Sequence, residues 1–484
     1  MIRRFAALLA LVLFAGMAPA QPAASPWNSL AAGRFNADSL VQLKAAGYTI
    51  KPARVLWYTG STPPPAGRAQ PAGYYVNNPL TVYGGVELPV GRGSGGMSDI
   101  FQMDGDAAFA IYGSTPPPIT YYSFTMNEFA RYRPDTGKLV ETNSSIALSV
   151  NNGNIGTTQG QPFDANFVVI VAAQFAAAQQ AREFFLRQGV PAQSINTILI
   201  PHRFTRQSSA RAPTLNFLTR LTYRTQAEQD IISSFVQRPT PPMKALFFKG
   251  PGAAGDVLDS DLVRWDSLLR DDRSEFAADA TAGLDLLASR VLQHYTALGY
   301  QVKDQAVESL RHIDPDSFCR DAWHTCNYDA PDALYGGFYC ARNGGDPQRC
   351  TGLLPDTGSR AIIVGLNHHG YGQGRLMTYF SYAVTRLTDL QGIATLPDVL
   401  TLGSAAQFLP DLPNPDDYFV ITVSRDCTLE PHCLEVPYDD QPGVPGLPKF
   451  GPVEITTRVY LDKVMGTAPN PANFQGARLF WIKR

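Results

Sequence analysis

No cysteine precedes Cys319 in this 484-residue chain. The N-terminal two-thirds therefore carries no covalent staple, and its order must come from apolar burial and hydrogen bonding. Nowhere does C-x-x-C occur, which removes the usual zinc-ribbon and c-type haem spacings. An excess of positive charge is missing too: 40 Lys and Arg stand against 42 Asp and Glu, for a formal charge of −2. A chain that tracked a phosphate backbone would need a basic footprint, so no nucleic-acid partner is expected. Beyond residues 1–20 no apolar run reaches the roughly 18 residues of a membrane span. The mature chain is accordingly read as not inserting into a membrane. G-x-S-x-G, H-E-x-x-H, the GxxxxGK[ST] phosphate loop and the EF-hand loop are all lacking. The commonest serine, zinc, nucleotide and calcium signatures are thereby absent, and no cofactor or metal is expected.

What is present begins with MIRRFAALLALVLFAGMAPA, residues 1–20. Arg3 and Arg4, an apolar core too short to span a bilayer, and the small-x-small end Ala18-Pro19-Ala20 follow the order of a secretory signal peptide. The expectation is a secreted or periplasmic protein whose mature chain starts near Gln21. In that oxidising setting the six cysteines, Cys319, Cys326, Cys340, Cys350, Cys427 and Cys433, read as a disulfide framework rather than a zinc site. Their spacing favours the local pairs Cys319–Cys326, Cys340–Cys350 and Cys427–Cys433. His324 falls inside the first pair and His432 inside the third.

Residues 21–160 read as a β-rich region with Pro- and Gly-rich turns. Between 161 and 250 the pattern becomes regular. Asn166 to Val171 is a continuous apolar strand, as expected where both faces are buried. An alanine-rich helix over 174–188 follows, stopped by Gly189, and Ile195 to Ile200 is the next strand. Asn216 to Tyr223 is again a strand. Thr225-x-x-Glu228 has the form of a capping box that opens a helix running to Val236, and Met243 to Phe248 closes the series. The order β-α-β-β-α-β is that of a ferredoxin-like module. The fold class expected is α+β, with this module between β-rich N- and C-terminal parts. Residues 251–310 read as a helical segment, with Leu284, Leu287, Val291 and Tyr295 on one face. The β-rich, disulfide-bearing C-terminal region spans 311–484.

Candidate chemistry centres on VGLNHHGYGQGR, 364–375. A buried strand there opens into a polar, glycine-rich loop carrying Asn367, His368 and His369. Adjacent residues of a strand point to opposite faces, so the two histidines are poorly placed for one metal. Strand-end loops are nevertheless where rigid scaffolds present reactive groups, and histidine is the commonest general base. Asp426 and His432, or Asp321 and His324, are conceivable partners for these rings. Gly250-x-Gly252-x-x-Gly255 matches a dinucleotide fingerprint, but the strand before it closes the module, and a linker is the better reading. GRGSGG at 91–96 reads as a surface turn, and pairs such as Asp416-Asp417 read as solvated turn residues. Two functions are left: a hydrolase-type enzyme acting at His368 and His369 on an extracytoplasmic substrate, or a non-catalytic ligand-binding or envelope-interaction protein that uses aromatic loops.

Overall fold

The computed structural model describes residues 25–58, 80–89, 96–133, 135–206, 212–252, 278–311, 330–340, 348–368, 379–386, 391–411, 414–428, 430–439, 446–460, 468 and 470–484. The signal-like segment, Cys319, Cys326, His324, His369 and the GRGSG stretch lie outside these residues.

Two large sheets dominate. The first draws on nine principal strands: β1 (Thr49–Trp57), β2 (Thr81–Pro89), β3 (Ala108–Ser114), β4 (Tyr121–Tyr132), β5 (Leu139–Ser145), β6 (Asn166–Ala172), β7 (Ile195–Leu199), β8 (Thr214–Thr222) and β9 (Met243–Lys249). Their spatial order is β7-β6-β3-β9-β1-β2-β8-β4-β5, with three short strands off this path. The second contains β10 (Gln301–Arg311), β11 (Ala333–Cys340), β12 (Ser359–Leu366), β13 (Tyr379–Arg386), β14 (Gln391–Pro397), β15 (Tyr418–Ser424), β16 (Cys433–Glu435), β17 (Pro452–Tyr460) and β18 (Arg478–Lys483). It is ordered β14-β13-β17-β11-β10-β18-β12-β15-β16, with two short strands added. The α-helices described are α1 (Pro26–Ala31), α2 (Ala37–Ala45), α3 (Phe175–Arg187), α4 (Gln226–Val236) and α5 (Ala278–Ala297).

The molecule is thus mostly β, and the ferredoxin-like α+β expectation is overturned. The expected strands and helices of 161–250 do form, but they do not pair with one another as that module requires. β6 and β7 are direct parallel neighbours; a split βαβ would hold them apart. β3 stands between β6 and β9, while β1 and β2 stand between β9 and β8. Local sequence set each element, and strands from the N-terminal region took the hydrogen-bonding edges between them.

Each sheet carries a helix, and strand alternation shows why. In β6, Phe167, Val169 and Val171 enter one core, while Val168, Ile170 and Ala172 pack with Ala177, Ala181, Phe184 and Phe185 of α3 in another. A strand buried on both faces needs an unbroken apolar run. β12 repeats the arrangement: Ala361 and Ile363 face one core, and Ile362, Val364 and Leu366 pack under Leu284, Leu287, Val291 and Tyr295 of α5.

β4 and β8 differ. Phe124 and Met126 face the core with Leu215, Phe217 and Leu221, but the opposite face is polar and buried. There Ser123 pairs with Arg220, and Asn127 with Asn216. At one end this face meets the second sheet. The Tyr121 hydroxyl lies 2.8 Å from each oxygen of Asp332, which also accepts from Ser149 Oγ at 2.8 Å and Asn151 Nδ2 at 2.9 Å. The rings of Tyr121 and Tyr460 are 5.1 Å apart. A second tie joins Arg224, just beyond β8, to Asp398 at 3.2 Å.

Candidate functional site

Asn367 and His368 are both buried. Asn367 is held by the chain beyond it: its N–H donates to the Asp417 carbonyl at 2.7 Å and its Nδ2 to the Asp416 carbonyl at 3.1 Å. The His368 ring meets the edges of Phe380 and Phe474, with centroids 5.4 and 5.0 Å away. Neither residue lines a described cavity. The glycine fingerprint is used internally: the Gly252 N–H donates to the Asp106 carboxylate, so the loop's first part cradles the chain's own anion. Asp426 accepts from Thr428, N–H and hydroxyl both, and from no described histidine.

The histidines that the structure places in a cavity are His294 and His432. The cavity, about 420 Å³, is lined by His294, Tyr295, Tyr300, Arg360, Glu430 and His432. Leu298, Ser404, Gln407, Phe408, Val420, Thr422, Pro431 and Arg484 complete its wall.

Its position follows from the strand faces. Leu366, Val364 and Ile362 form an apolar row on β12 beneath α5, and Arg360 is the next member of that row. On β15, facing β12, Val420 pairs with Val364 and Thr422 with Ile362. The face shared with α5 therefore turns polar at one end of the sheet, at the helix's C-terminal turn. Gly299, at φ +88°, ends the helix in the left-handed conformation that suits glycine, and the turn carries Tyr300 to the cavity wall. Glu430 and His432 come from a loop closed by a disulfide between Cys427 and Cys433, whose Cα atoms are 5.5 Å apart. The Glu430 N–H donates to the Cys427 carbonyl at 3.1 Å, and the Thr422 N–H to the His432 carbonyl at 3.0 Å. The staple and the β15–β16 pairing thus hold the loop against the cavity. Cys350 is also disulfide-bonded.

Inside, Glu430 is spoken for. One oxygen accepts from Arg360, whose Nε donates to the Tyr300 hydroxyl at 2.8 Å. The other lies 3.4 Å from the Tyr295 hydroxyl, which also contacts Thr422 Oγ1 at 3.0 Å. Burial is the main cause that pushes the Tyr295 hydroxyl up to about 12, and the Glu430 carboxylate adds to it. Tyr295 is therefore a protonated phenol at neutral pH. Ser404 Oγ donates to the Thr401 carbonyl and accepts from the Val420 N–H at 2.9 Å. His432 Nδ1 sits 2.9 Å from the Leu400 carbonyl. A carbonyl only accepts, so Nδ1 carries the proton, and Nε2 is the nitrogen left for a ligand.

Sequence reasoning did not assemble this site. Its residues come from α5 and the turn after it, β12, the turn after β14, β15, the disulfide loop and the residue after β18, and no spacing rule links them. One signal was available: a histidine inside the Cys427–Cys433 loop, where a staple would fix it.

Neither a family model nor a curated protein sequence matches the chain. Among solved structures it is similar to an uncharacterised protein from Burkholderia cenocepacia, at 11% identity over 96% of this chain and 91% of that one, with a TM-score of 0.39. It is also similar to the VPA0106 protein from Vibrio parahaemolyticus, at 12% identity over 86% and 91% of the two chains, TM-score 0.37. Likenesses at this level carry no functional argument.

Proposed function

We propose that the protein is an extracytoplasmic ligand-binding protein and that the cavity beside the Cys427–Cys433 loop is its site. The export reading rests on residues 1–20 and is supported by the disulfide; among the described residues no helix is long and apolar enough to cross a membrane. The observation that carries the binding reading is the state of the cavity's side chains. Its hydroxyls are tied to the frame: Ser404 to backbone on both sides, Thr422 to Tyr295, Tyr300 to Arg360. By contrast, the side chains of His294, Gln407 and Arg484 line the wall and make no hydrogen bond to another described residue. A concave wall with a few convergent polar groups over aromatic surface is the usual form of a small-molecule site.

The hydrolytic reading has less behind it, since a nucleophile within reach of an oriented base is not assembled among the described lining residues. The fixed tautomer of His432 is the one feature that favours it. A thermal-shift screen of small polar fragments separates the two. Gln407 is exposed at the wall, so Gln407→Trp narrows the cavity without touching the core. Fragments that stabilise the natural protein are expected to lose that effect in the variant, while the unliganded melting temperatures agree. Equal stabilisation of both proteins, or turnover of a fragment by the natural protein, would reject the proposal.

A further inference from the structure

Resting on that reading, we infer that the cavity's ligand is a small oxyanion bearing its own hydroxyl group. The donors and acceptors already used define what remains. Glu430, the only carboxylate side chain among the described lining residues, is bonded by Arg360 on one oxygen and faces Tyr295 on the other. Tyr295, Thr422 and Ser404 are engaged with one another or with backbone, and the Tyr300 hydroxyl accepts from Arg360. What remains is rich in donors: the Arg484 guanidinium, the second terminal nitrogen of Arg360 and the Gln407 amide. Guanidinium groups recognise planar or tetrahedral oxyanions through paired N–H donors. Lys483, beside Arg484, is drawn to Asp356 at 3.6 Å, and no described carboxylate side chain pairs with Arg484. The α5 C-terminus brings partial negative charge to this end, which the Arg360 and Arg484 guanidinium groups oppose.

His432 supplies the other half of the selectivity. With its Nδ1 proton directed at the Leu400 carbonyl, this tautomer of the ring offers Nε2 as an acceptor. A bare carboxylate has no proton to give it; a hydroxyl beside the carboxylate, or the O–H of a singly protonated phosphate, does. The aromatic wall of Phe408, Tyr295 and Tyr300 suits a flat apolar substituent on such a ligand.

Three probes test this: mandelate, phenylacetate, which lacks the hydroxyl, and mandelamide, which lacks the charge. Binding is read by titration calorimetry and by the imidazole NMR signals of His294 and His432, and inorganic phosphate is run as a fourth arm to separate a phosphate site from a carboxylate one. Mandelate is expected to bind about tenfold tighter than either analogue and to shift both imidazoles. Arg484→Gln should weaken both acids about tenfold and leave mandelamide unchanged. His432→Phe should erase the advantage of mandelate over phenylacetate. Phosphate binding tighter than mandelate keeps the oxyanion class and assigns it to phosphate. Mandelamide binding as tightly as mandelate would overturn the oxyanion class while the cavity remained a binding site. If no probe moves either imidazole and the fragment screen is also silent, both the inference and the cavity reading fall.

Discussion

Asp398 shows how burial can outweigh a salt bridge at one residue. Arg224 Nη1 reaches one of its oxygens at 3.2 Å, yet the side chain is nearly inaccessible and its other oxygen finds no partner among the described residues. Burial pushes the carboxyl up to about 6, against the pull of Arg224. A carboxyl whose pKa is higher in the folded than in the unfolded chain binds its proton more tightly when folded. Stability should therefore fall as pH rises through about 6 and return as pH drops toward 4. The swing is on the order of 2–3 kcal/mol. Denaturant unfolding at pH 4 and pH 7.5 checks it, with Asp398→Asn as the control in which this part of the slope disappears. An unchanged slope in the variant would assign it to other groups.

At the scale of elements, the strands and helices were legible because each is set by local pattern. Thr225 accepts from the Glu228 N–H at 3.2 Å, half of the capping box that the spacing suggested. Glu228 then reaches the Arg224 N–H at 2.7 Å, one residue further back than the motif implies. Gly299 ends α5 in the left-handed conformation that suits glycine. Pairing was not legible: nothing in β6 or β9 announces that β3 will lie between them. The loop 427–433 is the element on which the cavity depends. Replacing Cys427 and Cys433 by Ser removes the closure of a short loop, which costs roughly 2 kcal/mol. Because that loop holds Glu430 and His432, ligand-induced stabilisation should be lost in the same variant even where it remains folded. Retained binding with the disulfide gone would show that the β15–β16 pairing alone positions the loop.

For the whole molecule, the notable feature is how the two sheets are joined. Asp332, in the turn before β11, takes hydrogen bonds from Tyr121, Ser149 and Asn151 of the first sheet's region. A buried carboxylate satisfied on this scale specifies one relative arrangement, and removing it strands several buried donors. Asp332→Ala should cost on the order of 3 kcal/mol or more and split the calorimetric transition in two as the sheets unfold apart. A single, slightly shifted transition would mean that apolar contacts such as Tyr121 with Tyr460 already suffice. Sequence reading missed this seam because alternation marks a polar face without saying what covers it. Ser123, Thr125 and Asn127 alternate with apolar residues along β4 and are nonetheless buried.

The central claim is that the cavity between α5 and the disulfide loop holds the ligand. Crystals of the protein grown with 4-bromomandelate test it most directly, because bromine is located by its anomalous scattering without reference to any model. The account predicts a bromine peak against Phe408 and Tyr300, with the carboxylate toward Arg484 and the hydroxyl on His432 Nε2. A peak beside His368, or along the seam at Arg220 and Asp332 with the cavity empty, would contradict it.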